Sequence, residues 1–78
     1  MIKIENIVVS GNIVRAEVTI ISWIDESFEI AVNVETEEII ENTRVILDSY
    51  VYMAKTKLIE SYNENQGKLP KILEVVWY

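Results

Sequence analysis

Cysteine and histidine are both absent from the chain. Their absence removes disulfides, thiol chemistry, Cys/His zinc sites, and every Ser-His-Asp or Cys-His nucleophile. It also removes the side chain best suited to proton transfer near neutral pH. Glycine is almost as scarce, with only Gly11 and Gly67. Two isolated glycines cannot build a phosphate-cradling loop or a dinucleotide fingerprint, so they are read as a turn residue and a helix terminator. Proline occurs once, at Pro70. Basic residues number 7 against 13 acidic ones, for a net charge of −6. That balance argues against unaided binding to nucleic acid or to anionic membranes, both of which need clustered Lys and Arg. The longest mostly apolar stretch, Val18 to Ile24, is interrupted by Thr19 and Ser22 and falls far short of the roughly 20 residues that span a bilayer. The start, Met1-Ile2-Lys3-Ile4-Glu5, has no basic region followed by an apolar run and predicts no signal peptide. A disulfide-free chain of this kind fits a reducing compartment, and a cytoplasmic protein is expected.

Half of the 78 residues are hydrophobic, and 13 of those are isoleucine. That is the composition of a folded chain, and the length allows one domain, residues 1–78. The heavy use of Ile, Asn, Lys and Tyr hints at a bacterial or phage origin with AT-rich codons.

The first half reads as strands. Residues 2–9 and 13–24 are rich in β-branched side chains and flank Gly11-Asn12, a two-residue hairpin signal. With those two residues in the loop, Val9 faces Val14. Continued without a break, the register puts Lys3 and Glu5 on the apolar face. One extra residue near Glu5-Asn6 restores the pattern, pairing Ile4 with Val18 and Ile2 with Ile20, so a β-bulge is predicted there. A third run, Phe28 to Val34, alternates with Phe28, Ile30, Val32 and Val34 on one face. An odd loop keeps the faces consistent. A three-residue loop at Asp25-Glu26-Ser27 would pair Ile24 with Phe28, Ile20 with Val32 and Val18 with Val34.

The second half reads as one long helix from an N-cap at Thr36 to about Asn63, ending at Asn65-Gln66-Gly67. Ala54 falls near the centre of its apolar face. Residues 71–78 form a last strand, expected beside the first or third strand and parallel to them. The fold class is therefore α+β, in two layers: an antiparallel three-stranded meander, one long helix on one face, and a C-terminal fourth strand (βββαβ). About 28 helical residues would span roughly 42 Å, longer than the sheet, so the helix must overhang or break.

Two surfaces stand out as candidate sites. Val45, Tyr52 and Ile59, spaced by seven, form a second apolar stripe opposite the core face, and Ile21 and Trp23 lie on the outer sheet face. Such a stripe suits packing on a second copy of the helix, which predicts a homodimer. Seven carboxylates fall between residues 25 and 41 with no basic residue among them: Asp25, Glu26, Glu29, Glu35, Glu37, Glu38 and Glu41. That segment carries −7 and suits a basic protein partner. Its spacing does not match a calcium loop, and no catalytic residue, metal or cofactor is assigned.

A meander followed by a helix resembles part of the double-stranded RNA-binding domain. That family, however, places a helix before its sheet and a basic cluster at the opening of its last helix, where this reading has Glu37, Glu38 and Glu41. Direct nucleic-acid binding is not expected. The function expected is a small acidic, non-enzymatic interaction module, self-associating, such as a phage or mobile-element accessory protein that inhibits a host protein. The alternative is a small-molecule site or an enzyme pocket between sheet and helix, or at a dimer seam, with Ser22, Thr43 and Tyr50 as its polar lining.

Overall fold

The computed structural model describes residues 1–22, 25–44 and 46–76. An antiparallel sheet of five strands carries a single helix, an α+β architecture. The strands are β1 (Ile2–Ser10), β2 (Ile13–Ile20), β3 (Glu26–Asn33), β4 (Glu38–Asn42) and β5 (Ile72–Val75), and helix α1 is Ser49–Glu64. Across the sheet the order is β4-β3-β2-β1-β5.

The β1–β2 hairpin matches its expected register. Ile2 pairs with Ile20, Ile4 with Val18 and Val9 with Val14, and the register shifts between Glu5 and Val8. Asn6 absorbs the bulge at φ 53, a left-handed conformation that Asn tolerates better than most residues. Gly11 takes φ 59 in the two-residue loop, where a side chain would be strained.

The β2–β3 register differs from expectation. Val18 pairs with Phe28, Val14 with Val32 and Glu17 with Glu29, so the connection spans residues 21–25. The loop is odd, as expected, but five residues long instead of three. Because both lengths are odd, the faces come out the same: Phe28, Ile30, Val32 and Val34 are all buried in the core. Ile24, which the three-residue loop would have paired with Phe28, lies outside the described residues.

The long helix expected from Thr36 is corrected to a turn, a fourth meander strand and a shorter helix. The Asn33 side-chain oxygen accepts from the backbone N–H of Glu35 at 2.9 Å and of Thr36 at 3.1 Å. The N–H of Glu37 reaches back to the Asn33 carbonyl at 2.8 Å. These bonds close a turn on the groups that a helix would have used, and Glu37 at φ 63 turns the chain back against β3. Ile39 then pairs with Val32, and Glu41 with Ala31.

The helix begins twelve residues beyond the expected cap. Asp48 is its N-cap, and its carboxylate accepts from the N–H groups of Tyr50 and Val51. It ends where expected, with Asn65 as C-cap and Gln66 and Gly67 at positive φ. Sixteen residues span about 24 Å at 1.5 Å each, which matches the strands and removes the overhang. Val51, Ala54 and Leu58, all fully buried, join Ile2, Ile4, Val14, Val18 and Val32 in one core cluster.

The last strand lies beside β1, one of its two expected places, but antiparallel to it, with Ile2 opposite Val75 and Glu5 opposite Ile72. The extra reversal at β4 inverts the direction of everything that follows. Pairing of β5 with β1 stops at Ile72. Lys71 and then Pro70 precede it, and Pro70 has no N–H to continue a ladder.

Candidate interaction surface

Side chains alternate across a strand, so the face of the sheet opposite the helix carries the polar positions. In β1, β2 and β3 the registers align Glu5 with Glu17 and Glu17 with Glu29. Three carboxylates therefore stand in a row across three adjacent strands. Like charges directly opposite each other destabilise a sheet. The ladder pattern makes one contact closer than the other. Backbone bonds run from Ile21 to Met1 and from Val34 to Asn12, so odd-numbered β2 residues bond toward β1 and even-numbered ones toward β3. Glu17 and Glu29 thus form a non-hydrogen-bonded pair, the kind with closer side chains.

Two cations sit beside the row. Arg15 reaches over Ala31 to Glu41, with Nη1 2.6 Å from Oε2. Ala31, flanked in register by both, is buried on this face at 1% exposure. The hydrogen bond from Arg15, then its charge, holds the Glu41 carboxyl below the usual range. The Arg15 guanidinium is raised in turn, by the bond to Glu41 first and with a smaller contribution from the charge of Glu29. Lys3 lies 3.9 Å from Glu5. The Asn6 amide, turned by the bulge, donates to Glu17 at 3.1 Å. Thr43 closes the far end: its Oγ1 accepts from the Glu29 N–H at 2.8 Å, and its own N–H donates to the Glu29 carbonyl at 3.0 Å. Asn6, Arg15, Glu17, Glu29, Glu41 and Thr43 line a shallow groove.

The seven acidic residues between positions 25 and 41 are spread along the sheet. Asp25 accepts from the Ser22 N–H at the β2–β3 connection. Glu26 bonds Arg44 at 2.9 Å. Glu35 lies at the opposite end of the sheet, where the Asn12 amide donates to it. Glu37 is in the turn, Glu38 opens β4, and neither they nor Glu41 opens the helix. Glu29 and Glu41 line one groove on the outer face together with Glu17, which pairs across β1 with Glu5. The β1–β2 register already implied the contact of Glu5 with Glu17. Glu29 was missed because the three-residue loop would have set it opposite Trp23.

Of the apolar stripe of Val45, Tyr52 and Ile59, only Tyr52 and Ile59 fall among the described residues. Ile59 is buried in the core at 8% exposure, beside Val51, Ala54 and Leu58 on the face where they were expected. Tyr52 is exposed, with the Lys55 ammonium 5.5 Å above its ring. Ile21 is exposed. Val45 and Trp23 lie outside the described residues.

Arg44 reaches several groups near the helix start. It bonds Asp48 and Glu26 and lies 5.7 Å from the ring centres of both Phe28 and Tyr50. Burial alone would raise the Asp48 carboxyl, but the Arg44 bond and the N–H groups of Val51 and Tyr50 outweigh it and hold it below the usual range. The network ties the start of the helix to the start of β3. Of the three polar residues expected in a pocket, Thr43 lines the outer groove, Tyr50 lies by Arg44, and Ser22 is in the β2–β3 connection.

Among the described residues no cluster of three or more Asp or Glu is arranged to hold a metal ion, and no helix is long and apolar enough to cross a membrane. Comparisons with protein-family models, curated proteins and solved structures give no match.

Proposed function

We propose that this chain is a small, non-enzymatic protein-interaction module that docks a basic partner on the outer face of its sheet. The row of Glu5, Glu17 and Glu29 carries the reading. Three like charges in register weaken the sheet that holds them, and a cationic partner laid across the strands would relieve that repulsion. Arg15 is already engaged by Glu41, and Glu17 at the centre of the row meets the neutral Asn6 amide but makes no ion pair among the described residues. Inhibition of a host protein by occupying its basic surface, as a phage or mobile-element accessory protein would do in the cytoplasm, fits this chemistry.

The test titrates an oligolysine peptide into the isotope-labelled chain and follows amide shifts by NMR. Shifts should concentrate at Glu5, Glu17, Glu29 and Glu41, weaken as salt rises from about 50 to 500 mM, and vanish in Glu17→Lys. Salt-independent binding, or shifts centred on the helix, would reject the outer face as the docking surface.

A further inference from the structure

We propose that two copies of this chain pair through the second half of β1, strand edge to strand edge about a two-fold axis at Val8. Only Ile2 to Glu5 of β1 is covered by β5. From Ile7 to Ser10 the strand keeps β2 on one side and no strand on the other among the described residues. Val9 is opposite Val14, whose backbone bonds toward β3, so the N–H and C=O of Val9 point away from β2 to the open side. By alternation Ile7 does the same. Val8, between them, is 58% exposed.

The two outer edges of the sheet are treated differently. β4 carries Glu38 and Glu41 and a register shift, the usual protections against edge pairing. The open part of β1 has none of these. Residues 6–14 are the longest charge-free run in a chain of net charge −6, so two copies can approach there without local repulsion. With Val8 on the axis, Ile7 of each copy bonds Val9 of the other, and the exposed Val8 side chains meet. The same register brings Ser10 of one copy toward Asn6 of the other, where Asn6, Ile7 and Val8 share a groove with Lys71 and Ile72. The hairpin tip, with Glu35 held by Asn12, then approaches Lys71, which makes no ion pair among the described residues. The occupant is therefore a second copy, joined by antiparallel β-addition. The self-association expected of the helix belongs to this edge instead.

Light scattering over a micromolar-to-millimolar series should show the mean mass rising from 9.0 kDa toward twice that value. Val8→Lys places two ammonium groups across the axis, and Val9→Pro deletes an N–H that the monomer does not use. Each should hold the mass at the monomer value with an unchanged far-UV CD spectrum, and if one variant fails to fold, the other decides. Lys71→Glu should weaken pairing, and adding Glu35→Lys should restore it. A wild-type chain that stays monomeric throughout, or a dimer that survives in a folded Val8→Lys or Val9→Pro variant, would overturn the proposal.

Discussion

Glu17→Lys should stabilise the protein while abolishing its proposed binding. Glu17 is the middle member of the carboxylate row, opposite Glu5 on one side and Glu29 on the other. The substitution turns two like-charge cross-strand pairs into two opposite-charge pairs. Each cross-strand pair is worth roughly 0.2–1 kcal/mol. Losing the exposed Asn6 bond to Glu17 takes back about 0.5 kcal/mol. The net gain expected is about 1 kcal/mol, which for a chain of this size raises Tm by about 4–8 °C. Thermal unfolding followed by CD at low ionic strength measures it. Glu17→Gln, which removes the repulsion without adding attraction, should give about half of the gain. Raising salt to about 1 M, where the Debye length is near 3 Å, should erase most of the difference. A Tm that falls in low salt, or a gain that survives high salt, would refute the reasoning. The first outcome would mean that the carboxylates are not in mutual repulsion, the second that strand propensity rather than charge is responsible. A gain in stability joined to a loss of binding is the trade-off expected of a surface kept for recognition.

Two further perturbations test the frame. Asp48→Ala should cost about 1 kcal/mol as a lost N-cap, measured by urea unfolding. Because the folded-state Asp48 carboxyl titrates below that of the unfolded chain, its contribution is complete above the usual carboxylate range and lost as pH falls through the folded value. The gap between wild type and Asp48→Asn, which keeps the cap but not the charge, should therefore be widest near neutral pH and close in acid; a gap that widens in acid would contradict the assignment. Ala54→Leu should destabilise by about 1–3 kcal/mol, since Ala54 is fully buried between helix and sheet, and an unchanged Tm would place it outside that seam.

Much of the first half was legible because its signals are local. Gly11-Asn12 specifies a two-residue loop, and the parity of Ile2, Ile4, Val18 and Ile20 then requires the bulge that Asn6 supplies. The candidate surface was half legible for the same reason, since that register already sets Glu5 against Glu17. Periodicity is weaker where apolar residues cluster. Ile39 and Ile40 fit a helical stripe as well as a strand, and Thr36 with its following glutamates fits a helix start.

By itself the sequence determined the α+β class, the alternation that buries Phe28, Ile30, Val32 and Val34, and the helix stop at Asn65-Gln66-Gly67. It also determined the chemistry available, rich in carboxylates and without thiol or imidazole. Tertiary structure decided what residues 34–48 become. Asn33 captures the backbone N–H groups of the turn, β3 offers Val32 and Ala31 as ladder partners, and Arg44 joins Asp48 to Glu26 across the connection. None of these partners is adjacent in sequence to what it stabilises beyond the turn itself. The same holds for the row of Glu5, Glu17 and Glu29. Its members are twelve residues apart along the chain, and they meet only because long-range strand pairing sets their register.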